Sequence, residues 1–348
     1  MKKFYIFDII TTFHLISALA FCFSKANRGD VVTAYYVKDM DSKYQLSDFE
    51  FVDEQGVFIR IKKQEKHTGV LTIITPIWRR FKACGELDLT VYLGHHTYYK
   101  PSVTQMIEDF YLLPRCNFKS FSFEEGIGTY NSYAQERGVA IREKKRFFAV
   151  KFILKKILKS KLFLDYEWGI FSRKNGARRY YQKSVDAILN YYYLPRKKIE
   201  EINNLININI SDRVLYFTSP FVRVGVMSDH EYRLFFKDVV DYFKRRGTLL
   251  AIKPHPLDNF CYSEVAPEAL VVDIDMPAEL MIKKFNITKV AGINSTALLT
   301  ASLIFNCSSI NLVELLPESV KKNIALGNNL EEIFERVVIK SDDWDKML

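Results

Sequence analysis

An apolar run that ends in Lys253-Pro254-His255-Pro256 puts a lysine and a histidine at the end of a buried strand. Pro254 and Pro256 have no N–H to give to a ladder, so the strand read over 248–252 stops there. A histidine held between two prolines is rigidly presented. That suits a group that must donate a proton or hold an anion. Lys253, two residues earlier, points to the same side of the strand by parity and makes a basic pair with it. Further on, Val290-Ala291-Gly292-Ile293-Asn294-Ser295-Thr296 ends a second strand and opens a helix. Helix capping accounts for one of the two hydroxyls. Two in succession, just after a strand and a glycine, aim hydroxyls and free N–H groups at one spot. The helix dipole favours an anion there, and this is phosphate-holding chemistry.

Two acidic stations accompany these. Asp275-Met276-Pro277-Ala278-Glu279 is another strand-to-helix junction. Glu279 reads as a first-turn acid favoured by the dipole or, if it lines a cleft, as an acceptor for ribose hydroxyls. Glu124-Glu125-Gly126 ends a strand in the first half of the chain. It reads as an exposed acidic turn, or as a general base with one carboxylate facing a cleft and the other turned away by strand alternation. Gly126-Ile127-Gly128 is too short for a dinucleotide fingerprint, and neither GxGxxG nor GxxxxGK[ST] occurs. His95-His96 has no second ligand pair at metal spacing, so no metal site is expected. His14, near the first strand–helix turn, reads as a packed helix histidine.

The elements that position these residues alternate. Residues 4–10 and 12–24 read as strand–turn–helix, 31–37 as a β-rich strand, and 87–93 as a strand running into Gly94-His95-His96. Segments 57–61 and 70–74 read as strands or helix edges. Residues 101–113 form a helix between two prolines, and 118–123 a short strand leading to Glu124. After an Asn-rich linker over 191–211 the rhythm is regular. Strands fall at 213–218, 248–252, 269–273, 288–291 and 308–313. Helices fall at 229–246, closed by Gly247, and at 277–285, 295–305 and 330–338. Strand–helix alternation means parallel sheets wound with helices. The expected fold is α/β, two Rossmann-like domains facing each other across a cleft, with residues 1–200 and 201–348 as the halves. In such sheets ligands bind at the carboxyl ends of the strands, where His255 and Ser295 both fall.

The chain has 348 residues, 48% of them hydrophobic and 26% charged, with 27 Phe and 20 Tyr, which is enough for two cores. A net charge of +9 favours acidic partners: nucleic acid, anionic membrane, or a phosphorylated or carboxylated substrate. No nucleic-acid-binding motif accompanies the charge, so nucleic acid is not expected. Residues 142–161 are basic and apolar together, with Phe148, Phe152, Ile153, Ile157 and Leu158 on one helical face. The segment reads as a surface helix with a solvated basic side, or as an interfacial helix on anionic lipid. Cys22, Cys84, Cys116, Cys261 and Cys307 are scattered without metal or disulfide spacing, which fits a reducing, cytoplasmic setting. The apolar start of the chain is interrupted by Asp8, Thr11, Thr12 and His14, so it reads as strand and helix rather than as a signal peptide.

Taken in order, Glu124-Glu125-Gly126, Lys253-Pro254-His255-Pro256, Pro277-Ala278-Glu279 and Ser295-Thr296 resemble the motif set of bacterial sialyltransferases. The nearest are the lipooligosaccharide sialyltransferase and polysialyltransferase families. The resemblance covers roughly residues 118–300. It implies a GT-B fold with CMP-sialic acid held mainly by the second domain, and inverting, metal-independent transfer to a bacterial surface glycan such as lipooligosaccharide or capsule. No cofactor is implied beyond the donor substrate. Carried over, Glu124 is the base that deprotonates the acceptor hydroxyl, with Glu125 as substitute, and His255 is the acid or electrostatic partner of the departing phosphate. Lys253 helps hold the nucleotide, Glu279 the ribose, and Ser295 and Thr296 the phosphate. The second hydroxyl residue is Thr where the families commonly have Ser. Two other readings remain open at this point: a transferase using another nucleotide sugar such as a UDP-hexose, and a non-catalytic basic protein that binds membrane or glycan. The leading reading places the protein in the cytoplasm, peripheral on the inner membrane through 142–161.

Overall fold

The computed structural model describes residues 3–9, 11–37, 48–64, 90–95, 118–122, 177–191, 200, 204, 210–274, 276–324 and 328–340. Glu124, Glu125, the helix expected over 101–113, the segment 70–74 and the basic segment 142–161 lie outside them. The chain divides into two compact units, Met1–Thr129 with Arg146–Tyr193, and Tyr130–Lys145 with Leu194–Leu348. Among the described residues, each holds one six-stranded sheet.

In the first unit, β1 (Lys3–Ile9) is central, flanked by parallel β2 (Val31–Val37) and β5 (Thr90–His95). The order runs β3-β4-β2-β1-β5-β6, with β3 (Phe49–Val52), β4 (Phe58–Gln64) and β6 (Phe118–Ser122). Only β3 is antiparallel to its neighbour among these strands. β5 continues through Gly94 to His95, beyond the expected end, because Gly94 and His95 pair with Phe7 and Asp8 of β1. Between β1 and β2 lies α1 (Thr12–Lys25), buried from Thr12 to Phe23, as its nearly unbroken apolar sequence requires. Its N-terminus is a capping box: Thr11 Oγ1 accepts the His14 N–H at 3.2 Å, and His14 Nδ1 accepts the Thr11 N–H at 3.3 Å. His14 therefore serves the helix start.

The helix α2 (Ala177–Tyr191) was not foreseen, although its signal is present. Tyr181, Ser184, Val185 and Ile188 fall at helical spacing and are all fully buried. It packs on α1, with Tyr181 tilted against Phe13 at 6.4 Å and Lys183 over the Phe23 ring at 4.6 Å. Lys183 also meets Asp53, whose side chain is 1% exposed, at 3.2 Å. Asp53 accepts the Val57 N–H as well, so this ion pair locks α2 to the β3–β4 turn.

The second unit holds a wholly parallel sheet in the order β12-β11-β10-β7-β8-β9. Its strands are β7 (Val214–Phe217), β8 (Leu250–Lys253), β9 (Leu270–Val271), β10 (Lys289–Gly292), β11 (Ser308–Asn311) and β12 (Ile339–Lys340). Numbered from β7, this is the 3-2-1-4-5-6 order of the doubly wound nucleotide-binding sheet, and its switch point lies between β7 and β10. β7 is buried at every position, as a central strand covered on both faces must be. The helices are α3 (Asp229–Arg245), α4 (Tyr262–Val265), α5 (Ala278–Lys284), α6 (Thr296–Phe305), α7 (Glu318–Ile324) and α8 (Asn328–Val337). α3 starts on a Ser228–Glu231 capping box and ends before Gly247, whose φ of 63° continues the chain into β8. Its apolar face, Tyr232, Phe235, Phe236, Val239 and Phe243, is buried in the core. Each such side chain contributes about 1.5–3 kcal/mol.

Candidate functional site

Four of the residues singled out in the sequence lie on the loops and helix starts that leave the carboxyl edge of the second sheet. The chain reaches that edge at the ends of β7, β8 and β10, on both sides of the switch point. Gly292 closes β10 where no side chain fits easily: an added Cβ would lie 3.1 Å from the Phe217 carbonyl oxygen. Two residues later Asn294 takes the left-handed conformation, φ 42°. Asparagine tolerates that region better than most residues, and here it is braced. Its N–H goes to Asn311 Oδ1 (3.2 Å), its Oδ1 accepts from Asn311 Nδ2 (2.8 Å), and its Nδ2 donates to the Ile324 carbonyl (3.0 Å). This bracket turns the chain sharply into α6. Ser295 is the N-cap, its Oγ accepting the Ala297 N–H at 3.2 Å, and Thr296 is the first helical residue. Both are half-buried, so both remain reachable.

Lys253 is the last residue of β8, and its ammonium donates to the Ile274 carbonyl at 2.6 Å. Its head therefore turns toward the segment that leads into α5. His255 lies past the strand end, so the parity that would pair it with Lys253 no longer applies. It is fixed instead by its own loop. Its N–H donates to Thr218 Oγ1 (2.8 Å), and its carbonyl accepts the Asp258 N–H (2.8 Å) in a turn with Pro256 at the second position. Its Nδ1 accepts the Leu257 N–H at 3.1 Å. With Nδ1 so engaged, the neutral ring carries its proton on Nε2, and any hydrogen bond from the ring to an anion is made through Nε2–H.

Glu279 sits in the first turn of α5 but is 7% exposed, and Thr300 of α6 donates to its Oε1 at 3.2 Å. Burial pushes its carboxyl above the ordinary range, against opposing hydrogen bonds from its own N–H and from Thr300. The same Thr300 hydroxyl lies 3.2 Å from the Ala297 carbonyl, to which it can donate when Glu279 is protonated. Glu279 thus joins α5 to the helix that Ser295 and Thr296 open. Because its folded pKa is raised, the stability associated with the neutral acid is present below the ordinary carboxyl value of 4.5 and lost as pH rises through the raised value. Glu279→Gln is therefore expected to flatten this fall. The wild-type melting midpoint should drop relative to the variant as pH increases above 4.5, and parallel profiles would contradict it.

Sequence reasoning missed Thr218, Asp258, Tyr262 and the Asn294–Asn311 bracket. Thr218-Ser219-Pro220 directly after an apolar strand carried a usable signal, as did an asparagine placed just before Ser295. Among the described residues no three His, Cys, Asp or Glu side chains cluster as metal ligands. Among them, too, no helix is long and apolar enough to cross a membrane.

Residues 90–314 match the family model described as alpha-2,8-polysialyltransferase (POLYST), a span that takes in all four motifs. The chain belongs to the alpha-2,8-polysialyltransferase family. Membership agrees with the motif resemblance, and the family span brackets both the expected Glu124-Glu125 station and the edge around His255 and Ser295. An uncharacterised protein of Haemophilus influenzae is 25% identical over 193 residues, 53% of this chain and 59% of that protein. The match thus spans about three-fifths of that relative's length. Among solved structures, the GT-B domain of a sialyltransferase from Photobacterium damselae is similar at TM-score 0.45 and 11% identity, covering 97% of this chain and 99% of that one. The UDP-GlcNAc 2-epimerase of Methanocaldococcus jannaschii is similar at TM-score 0.49 and 11% identity, covering 96% and 91%. The assignment of this polysialyltransferase-family chain rests on the family match.

Proposed function

We propose that this protein is an inverting, metal-independent glycosyltransferase that moves sialic acid from CMP-sialic acid to a bacterial surface glycan, lipooligosaccharide or capsule. Membership of the alpha-2,8-polysialyltransferase family carries the reading. The carboxyl edge of the second sheet supports it, with a hydroxyl pair at a helix N-terminus beside the switch point and a histidine on the neighbouring loop. In the reaction the acceptor hydroxyl oxygen attacks the anomeric carbon of the sialyl group while the bond from that carbon to the phosphate oxygen breaks. The acceptor proton passes to Glu124, with Glu125 as substitute, and the electron pair of the broken bond leaves with CMP. Negative charge grows on the phosphate. Ser295, Thr296 and the first N–H groups of α6 receive it, and His255 donates through Nε2–H. Lys253 and Glu279 hold the nucleotide and its ribose. The basic segment 142–161 would bring the protein to the anionic inner face of the membrane, in the cytoplasm, where a glycolipid acceptor is presented.

Incubation with CMP-sialic acid, a galactoside acceptor and a chelator is expected to give transfer and CMP release. No transfer and no CMP release, with or without chelator, overturns the sialyl reading; activity abolished only by chelator overturns the metal-free mechanism. CMP at about 100 times its dissociation constant should stabilise the native protein by about 2.7 kcal/mol and raise the melting midpoint. A rise with UDP and none with CMP assigns the donor to another nucleotide sugar.

A further inference from the structure

Beneath the His255 loop runs a chain of hydrogen bonds that neither the motifs nor the family match names. Thr218 follows β7 at the switch point and is 5% exposed. Its hydroxyl accepts the His255 N–H at 2.8 Å and donates to Asp258 Oδ2 at 3.0 Å. Tyr262 of α4 donates its hydroxyl to the same carboxylate oxygen, and its hydroxyl also lies 2.9 Å from that of Tyr232 on α3. The other oxygen, Asp258 Oδ1, accepts the Phe260 N–H at 3.1 Å. Asp258 thus receives hydrogen bonds from a strand end, a helix and its own loop. The far end of the chain is anchored in aromatic packing: Phe236 meets Tyr262 at 4.9 Å, and Tyr232 meets Phe260 at 4.8 Å, both edge-to-face. Such pairs hold position as well as area. Burial pushes the Tyr262 phenol far above its ordinary value, so it remains a donor at any working pH.

We propose that Asp258, with Thr218 and Tyr262, is a positioning group for His255, holding the Pro254–Asp258 turn so that Nε2 meets the phosphate of the leaving nucleotide. None of the three is required to touch substrate. Each acts through the His255 main chain, and the Nδ1 bond to the Leu257 N–H, inside the same turn, passes the constraint to the ring. A misplacement of about 1 Å in such a group costs on the order of 10²-fold in rate. The inference rests on the reading of His255 as the group that meets the departing phosphate.

The test is a double-mutant cycle on the full chain, with CMP-sialic acid as donor and CMP release with a galactoside acceptor as readout. Asp258→Asn keeps the acceptor for the Phe260 N–H but replaces the oxygen that Thr218 and Tyr262 address with an amide donor. It is expected to lower kcat by about 10- to 100-fold with KM changed less than about threefold. Tyr262→Phe, which removes one donor and keeps the packing, should give a smaller loss of the same kind. Thr218→Ser should keep most of the activity and Thr218→Val should lose it. Combined with His255→Ala, Asp258→Asn should cost nothing further, because the group it positions is gone. A full additional loss in the double variant overturns the inference, as does a loss that appears only in KM. So does wild-type turnover in folded Asp258→Asn and Tyr262→Phe. Near-normal turnover in His255→Ala alone overturns the reading beneath it, and that arm separates the two failures. Should Asp258→Asn fail to fold, Tyr262→Phe and the Thr218 pair carry the same cycle.

Discussion

Replacing His255 with alanine is expected to lower the turnover of CMP-sialic acid by about 10²- to 10³-fold, the usual loss when a positioned donor to a developing anion is removed. The melting midpoint should change little, because the contact that joins residue 255 to the sheet edge is its main-chain N–H to Thr218, which alanine keeps. Among what alanine loses is the ring acceptor for the Leu257 N–H, on an exposed residue where water can replace it. Loss of turnover with an unchanged midpoint therefore reports chemistry and not folding. If the ring stabilises charge that appears only as the bond breaks, kcat falls and KM stays near its wild-type value. Equal loss of donor affinity and of rate would assign the ring to ground-state binding. Turnover within about twofold of wild type would remove His255 from the mechanism, since no role at the leaving phosphate is compatible with that outcome.

The second sheet was legible in the sequence because parallel central strands are short apolar runs punctuated by turn residues. Val214–Phe217 and Leu250–Lys253 each stand out between polar segments and stop where Pro220 and Pro254 follow. Two helix ends were legible through capping: Gly247 closes one helix and Ser295 opens another. β3 was hidden because Phe49–Val52 alternates over only four residues, and it owes its existence to pairing with β4. α2 was hidden because a tyrosine and a serine occupy two of its buried positions, Tyr181 and Ser184, so its apolar stripe does not look apolar. At the site, residue type singled out His255 and Ser295 in the sequence, but strand parity is no guide to how Lys253 stands relative to His255. Parity is a property of extended backbone, and Pro254 ends it one residue before the histidine. The braces were invisible for a different reason. Asp258, Tyr262 and Asn311 matter through partners 40, 30 and 17 residues away in sequence. No local pattern records such pairings; only the fold that brings β7, α3 and β11 beside these loops reveals them.

The largest effect is expected at the base. Glu124→Ala should reduce transfer by about 10³- to 10⁴-fold, the upper part of the range for general base catalysis, while Glu125→Ala should cost less than about tenfold. The asymmetry follows from the motif resemblance, which makes Glu124 the base and Glu125 its substitute; if the pair ends a strand as the sequence reads, alternation turns one carboxylate toward the acceptor and the other away. A base that must be ionised also makes kcat/KM rise with pH up to the pKa of that carboxyl and level off above it. Glu124→Gln, which keeps size and hydrogen bonding but cannot take a proton, should abolish that acidic limb along with the rate, whereas Glu125→Gln should keep both. Hydrolysis of the donor by water offers a further separation, because solvent can accept the proton that Glu124 would have taken from the acceptor. The Glu124 variants are thus expected to lose transfer to the glycan more severely than release of CMP, while His255→Ala loses both alike. If the Glu125 variants suffer the large loss and the Glu124 variants do not, the base is Glu125. If neither pair changes the rate, general base catalysis from this strand end is excluded, and the phosphate edge of the second unit is left to act with a base from elsewhere in the chain.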